Sequence, residues 1–379
     1  MLTKVELEHF KNIGSQSVAL GPLRVLVGRN GAGKSNFVDA LRFLRDCIVY
    51  GLDSAVMQRG GIKSVRQWAP RRPYAAVGIA VEGRSEAARW RYRMEIGGRD
   101  EEHHVRRETF MAGDADAELP SVVYDVEAGE WRTQPPGLAP DLGDRTLVLP
   151  LVAGQPAFSE AVHALWNMDF YSIYPNVLAE PQRPFDTSRL EEGGLNLASV
   201  LRRLQRDAPR ALREISTDLS GIVENVAGVR TRRVGGRLVI EFRHPGPREP
   251  HWLEAAQQSD GTLRALGLLV ALHQVPAPTL IAVEEPELNL HPGAMGRLCD
   301  SFSEASRTTQ ILLTTHSPDL ISRFPVDTLL AVESVDGEAH IGPIDETQRQ
   351  AIEEQLFSAG DLLRLDGGLR RETAAGRAR

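Results

Sequence analysis

Gly28-Arg29-Asn30-Gly31-Ala32-Gly33-Lys34-Ser35 lies between a short apolar run, Leu23 to Val27, and a stretch with Phe37, Leu41, Leu44 and Ile48 at helical spacing. The octet satisfies the pattern G-x-x-x-x-G-K-[ST] in full. The apolar run predicts a buried strand and the spaced residues a helix starting at Asn36, so the loop has the strand–loop–helix setting its chemistry needs. Glycines let backbone N–H groups converge on phosphate oxygens without Cβ interference. The helix N-terminus adds donors and a favourable dipole. In that setting Lys34 is expected on the β- and γ-phosphates and Ser35 on Mg²⁺. Upstream, residues 2–9 alternate in polarity and predict another strand.

The last third of the chain alternates helix and strand, the signature of a parallel α/β sheet. Gly261 to His273 predicts a helix, Thr279 to Val283 a buried strand, Pro292 to Ala305 a helix, Ile311 to Thr314 a strand. A further strand is expected over Asp327 to Val332, a helix near Gln348 to Phe357, and a frayed tail from Arg370 to Arg379. A parallel strand delivers its C-terminal residues to the ligand crevice of an open sheet. Glu284 and Glu285 stand at such an end, the first suited to holding Mg²⁺, the second to polarising an attacking water. His316, in Thr314-Thr315-His316-Ser317-Pro318, follows the next strand. Gln258-Ser259-Asp260-Gly261-Thr262 opens a helix; Ser259 and the Gly261 N–H there make an anion site or simply a helix cap.

Between these ends, residues 74–132 carry short β-type runs separated by Gly/Asp clusters, which predicts an antiparallel meander. From Phe158 to Val226 the pattern is helical, with Leu197, Val200, Leu201 and Leu204 on one face and Leu212, Ile215, Leu219 and Ile222 on another. The net charge of −7 excludes a globally basic nucleic-acid coat but not a local basic surface. Only four of the 44 basic residues are lysine, so arginine-rich stretches carry little weight by themselves. Two cysteines, Cys47 and Cys299, fit a reducing cytosol, and the expected location is cytoplasmic. The longest apolar stretches fall far short of a bilayer span, and no membrane is expected as a partner.

Taken together and in this order, the motifs resemble the ABC-type ATPase heads of the SMC/RecF/OLD superfamily. Gly28–Ser35 is similar to Walker A, Ser259–Thr262 to the ABC signature and Ile281–Glu285 to Walker B. Glu285-Pro286-Glu287-Leu288-Asn289-Leu290-His291-Pro292 is similar to the D-loop of the RecF-like and OLD-like branch, and His316 to its switch histidine. Leu7-Glu8-His9-Phe10-Lys11-Asn12 resembles that branch's opening motif, and Glu191 to Ala198 a segment of its short bacterial ATPases. Many ABC proteins end Walker B in Asp-Glu where this chain has Glu284-Glu285. Gln67 and Gln155 are both candidates for the Q-loop glutamine, and neither is assigned.

The resemblance implies an α/β fold: a P-loop NTPase of ABC/SMC-head type, with a mixed parallel sheet, an antiparallel β meander and a helical insert. The expected division is an ATPase lobe over 1–145, a helical insert over 146–226 and a second lobe over 227–379. It implies Glu285, His316 and Lys34 as catalytic residues. It implies nucleotide contacts from Lys11, Asn12, Asn30, Gly31, Ala32, Gly33, Lys34, Ser35, Asn36, Ser259 and Gly261, with Ser35 and Glu284 on the metal. Two heads would pair head-to-tail around two ATP molecules, Ser259 of one touching the γ-phosphate held by the other.

The leading expectation is an ATP-dependent homodimerising switch in DNA repair or anti-phage defence. About 220 residues separate Ser35 from Ser259 without sustained heptads, which argues against a long coiled-coil tether. The 63 residues after His316 leave no room for a typical further domain, so a nuclease would be a separate partner chain. Arg202, Arg203 and Arg206, with Arg230, Arg232 and Arg233, are either a DNA-facing groove or a solvated helix face and strand edge. The alternatives are a nucleotide-gated regulatory or toxin–antitoxin module with little turnover, and an ABC transporter ATPase subunit. The transporter reading lacks its Leu-Ser-Gly-Gly-Gln signature here.

Overall fold

The computed structural model describes all residues except 68–73, 87, 100–101, 115–120, 136, 138–139, 188, 366–367 and 373–379. The chain forms two compact units: Met1–Met168 with Asp327–Glu353 and Gly367–Arg379, and Asp169–Val326 with Glu354–Asp366. The first opens with β1 (Leu2–Phe10), β2 (Ile13–Ala19), β3 (Leu23–Val27) and α1 (Lys34–Tyr50). Phe37, Leu41, Leu44 and Ile48, spaced for one helical face, are all buried. The expected meander is present as β4 (Val77–Arg84), β5 (Ala88–Gly97), β6 (His104–Asp114), β7 (Ser121–Glu127) and β8 (Glu130–Thr133). These strands continue an antiparallel sheet of order β2-β1-β4-β5-β6-β7-β8. Helix α2 (Pro156–Trp166) places Phe158 against the rings of Phe110 and Tyr124, with centroids 5.1 and 5.9 Å away.

The second unit begins in β9 (Met168–Tyr171), whose four side chains are all buried. This strand interrupts the stretch expected to be helical from Phe158, because the four residues Met168-Asp169-Phe170-Tyr171 are too few to break a helical period visibly. Helices α3 (Leu197–Asp207) and α4 (Pro209–Ile222) follow and bury the predicted faces, Leu212 only partly. Next come β10 (Gly228–Val234), β11 (Arg237–His244) and β12 (His251–Glu254), an antiparallel three-stranded sheet. Helix α5 (Asp260–Leu272), β13 (Leu280–Glu284), α6 (Met295–Ala305) and β14 (Gln310–Thr315) complete the layered core. Strands β13 and β14 pair in parallel, Ile281 beside Ile311 and Val283 beside Leu313. They are buried throughout apart from Glu284, as parallel strands covered on both faces must be.

The chain then returns to the first unit through β15 (Leu329–Val335) and β16 (Glu338–Pro343). Strand β3 pairs in parallel with β15, and β15 antiparallel with β16. The strand expected from Asp327 starts at Leu329, because 326–328 form a 3₁₀ turn. The late helix spans Glu346–Glu353, earlier than expected. Strands β2 and β16 were not expected. β2 carries the polar run Gly14-Ser15-Gln16-Ser17, and β16 only six residues of mixed polarity, so neither shows a strand pattern. The tail expected to fray from Arg370 is tied down at its start: Arg370 N–H donates to Gln348 Oε1 at 2.7 Å and Glu372 N–H to Pro343 O at 2.9 Å. Residues 373–379 of that expected tail lie outside the described residues. Among the described residues no helix is long and apolar enough to cross a membrane.

Candidate functional site

The phosphate loop is shaped by contacts that only glycine permits at two positions. A Cβ on Gly28 would stand 2.2 Å from the carbonyl oxygen of Val332 in β15. Gly33 caps α1 at φ 114°, and a Cβ there would stand 2.5 Å from that of Ala339. Gly31, at φ 76°, faces open space. Lys34 is buried, and its Nζ donates to Gly28 O at 2.7 Å and Arg29 O at 3.1 Å. The ammonium is thereby held at the loop's own carbonyls, where the positive charge of a phosphate-binding lysine belongs.

Asn12 joins this group. Its Oδ1 accepts from Asn36 Nδ2 at 2.7 Å, and its backbone oxygen accepts from Ala339 N–H at 2.8 Å. Lys11, in the turn between β1 and β2 at φ 48°, places Nζ 2.7 Å from Asp39 Oδ2 on α1. Burial pushes the Asp39 carboxyl up, but hydrogen bonds from Arg59 and Lys11 outweigh that and hold it below its ordinary value. The first unit therefore gathers Lys11, Asn12, Asn36 and the loop residues Asn30 to Ser35 around the start of α1. Asn30, Gly31 and Ser35 are exposed there. Gln67 lies near the same end: its Nε2 donates to Glu338 Oε1 at 3.0 Å, and its Oε1 is 3.1 Å from His9 Nδ1. Gln155 instead occupies the residue before α2.

The second unit gathers the remaining candidates. Glu284 ends β13, and Glu285 follows in a left-handed conformation, φ 47°, with its N–H still on Thr314 O at 2.9 Å. The backbone thus turns away from the sheet at the residue expected to act as base. Its carboxylate Oε1 lies 3.2 Å from His316 Nδ1, and both side chains are partly exposed. Glu287 Oε1 accepts the Thr315 hydroxyl, and that hydroxyl oxygen accepts Ser317 N–H at 2.9 Å, which fixes the loop carrying His316.

Ser259 caps α5, accepting Thr262 N–H at 3.2 Å. Gly261 lies where a Cβ would meet Asn289 O at 2.3 Å, so the start of α5 rests directly on the 285–292 loop. Arg264, one turn on, is a neighbour of the paired acids that the sequence did not single out. Its Nη1 donates to Ile173 O at 2.9 Å, and its Nη2 to Glu285 O at 2.8 Å and Glu284 O at 3.3 Å. Burial lowers its pKa, against the pull of Glu287 and Glu285. The available signal was a charged residue inside the apolar run Leu263 to Leu269.

The donor chemistry suits a nucleotide with a hard divalent cation. In the first unit the loop offers backbone N–H groups, an ammonium and the Ser35 hydroxyl, and the second unit by itself offers the Glu284 carboxylate; oxygen donors are the kind magnesium prefers. A mixed α/β fold with a phosphate loop, paired acids at a strand end and a histidine after the next strand defines an ATPase head of the SMC/RecF/OLD kind. The chain belongs to the family described as "AAA domain, putative AbiEii toxin, Type IV TA system", whose model matches residues 23–130 and 160–322. It is 22% identical over 360 residues to the Old nuclease of Escherichia phage P2, covering 85% of this chain. It spans 57% of that relative's length. Among solved structures it is similar to an SMC head bound to the C-winged-helix domain of ScpA, with TM-score 0.57, 15% identity, and coverage of 93% of this chain and 99% of that one. The SMC head domain from Thermotoga maritima gives 0.50, 16%, 91% and 99%. At these identities the solved structures establish the fold alone.

Proposed function

We propose that this chain binds and hydrolyses ATP and that ATP pairs two copies head-to-tail, as a switch in DNA repair or anti-phage defence in the cytoplasm, with a nuclease as a separate partner. The observation that carries the reading is the complete phosphate loop, Lys34 already at its mouth, in a chain that also pairs Glu285 with His316. Lys34 and the loop N–H groups hold the β- and γ-phosphates. Glu285 accepts a proton from the attacking water as the bond between the γ-phosphorus and the β,γ-bridging oxygen breaks, and His316 orients that carboxylate. Magnesium, when bound, would offset phosphate charge, with Ser35 and Glu284 as its oxygen donors. Ser259 of one copy contacts the γ-phosphate of the other, so the triphosphate favours the closed pair and its hydrolysis releases it. The name of the phage relative supports the nuclease link.

The test pairs two variants. Glu285→Gln retains ATP binding, lowers turnover by about 10²- to 10⁴-fold and accumulates closed dimers in light scattering. Ser259→Arg binds ATP as a monomer but no longer dimerises. Normal turnover in the first variant removes Glu285 from its role, and unchanged dimerisation in the second removes the signature contact in trans. The toxin–antitoxin wording of the family description supports a second reading, a nucleotide-gated module with little turnover. ATPase rates that stay negligible with and without DNA would select it.

A further inference from the structure

Two arginine segments about thirty residues apart in sequence line one open cleft of about 450 Å³. Arg202, Gln205 and Arg206 come from α3, spaced to share a helical face, and Thr231 and Arg233 from alternate positions of β10, with Leu238 opposite on β11. The hairpin sorts its arginines by face. Arg230 and Arg232 lie on the other face, where Glu241 binds both at 2.7 and 2.6 Å and Glu254 takes Arg232 at 3.0 Å. Among the described residues neither Arg202 nor Arg233 has a carboxylate partner, and both are exposed. Arg206 is bonded to Asp207 and also feels Asp186. Helix α3 and strands β10 and β11 together hold eight arginines against two acids, Asp207 and Glu241, in a chain of net charge −7. The hairpin tip carries an exposed Val234 beside Gly235 and Gly236.

We infer that this cleft docks the phosphodiester backbone of nucleic acid. An isolated phosphate satisfies one guanidinium or two, whereas a polymer presents successive phosphates to arginines on two separate elements. The excess charge is local, on a surface otherwise biased against polyanions, and that bias directs the polymer to this cleft. The contacts fall on arginine, a threonine hydroxyl and a glutamine amide, which positions a backbone without reading bases. This inference deepens the proposed function by locating the DNA contact, but its measurement needs no nucleotide.

The experiment uses the full chain and fluorescein-labelled single-stranded and duplex DNA of about 30 nucleotides, read by anisotropy across about 50–200 mM salt. Wild type binds at least one probe with a steep salt dependence. Arg202→Ala with Arg233→Ala weakens binding at least about tenfold and reduces the slope of log affinity against log salt by about two. Arg202→Lys with Arg233→Lys restores most of the affinity, and Arg210→Ala, outside the cleft, leaves it within about twofold. An unchanged thermal midpoint and unchanged ATP turnover without DNA show that the alanine pair is folded. The inference is overturned if wild type binds neither probe at the lowest salt, if the alanine pair binds as wild type does, or if the lysine pair binds no better than the alanine pair. It is also overturned if inorganic phosphate at matched ionic strength displaces the DNA, which would make the cleft a small-anion site. Failure of the ATPase reading looks different: no wild-type turnover, with DNA binding intact.

Discussion

Glu285 holds a left-handed backbone that a residue with a Cβ adopts at a cost of about 1–3 kcal/mol. The cost is met by the Thr314 carbonyl on its N–H and by Arg264 on its own carbonyl. Such a turn is invisible in Glu284-Glu285-Pro286, which has no glycine or asparagine to announce it. The placement of the two acids at a strand end was legible, since the apolar run before Glu284 reads as a buried strand. The conformation of Glu285 was not, because it depends on an arginine 21 positions upstream. Gly261 shows the same dependence on distant chain. As part of a capping tetrapeptide it reads as an ordinary turn residue, yet the Asn289 carbonyl leaves no space for a methyl group. Gly261→Ala is therefore expected to push α5 from the 285–292 loop and to destabilise the protein by about 1–3 kcal/mol, read as a lower urea midpoint. Gly31→Ala differs: no atom obstructs it, and only its positive φ penalises it, by about 1 kcal/mol.

Among the elements, the meander was legible and its anchorage was not. The Gly/Asp clusters between β-type runs mark strand ends, whereas Glu108 in β6 looks like any acid on a solvated strand face. It is instead fully buried. Its Oε1 accepts Tyr124 OH at 2.9 Å, Tyr92 OH at 3.1 Å and Leu149 N–H at 3.0 Å, and its Oε2 accepts Val148 N–H at 2.6 Å. Four donors converge on one carboxylate, so the strand and the helical turn over Val148–Leu151 are joined by a single side chain. Only the fold brings residues 92, 124 and 148 to position 108, and no local pattern foreshadows it. Glu108→Gln preserves shape but turns an amide N–H₂ toward a donor. Leaving one buried N–H unsatisfied predicts a loss of about 1–3 kcal/mol in equilibrium unfolding. A change below a few tenths of a kcal/mol would mean that water replaces the lost acceptor.

At the scale of the whole molecule, a net charge of −7 comes with several acids held by arginine and lysine, and these set the response to pH. Burial pushes Glu6, Asp39 and Glu241 up, but hydrogen bonds outweigh it: from Arg91 and Lys4, from Arg59 and Lys11, and from Arg232 and Arg230. All three fall below their ordinary values. Their stabilisation is complete above the unfolded-chain values of 4.5 for glutamate and 3.8 for aspartate, and it fades as pH falls toward the lower folded values. Glu108 acts in the opposite sense. Burial, only partly offset by its four hydrogen bonds, raises its pKa, so its contribution is complete below 4.5 and declines as pH rises through the folded value. The depressed acids predict that the urea midpoint of the wild type falls steadily from pH 4.5 downward, a range in which the Glu108 contribution is constant. Asp39→Asn should start from a lower midpoint at pH 7, because Arg59 and Lys11 lose their shared partner, and should then fall less on acidification. Glu108→Gln, which removes the raised acid, should run parallel to wild type below pH 4.5 and lose less of its midpoint than wild type as pH rises above 4.5. An acid limb for Asp39→Asn parallel to that of wild type would show that the acid response arises elsewhere in the chain, and a Glu108→Gln curve parallel to wild type above pH 4.5 would remove Glu108 from the response there.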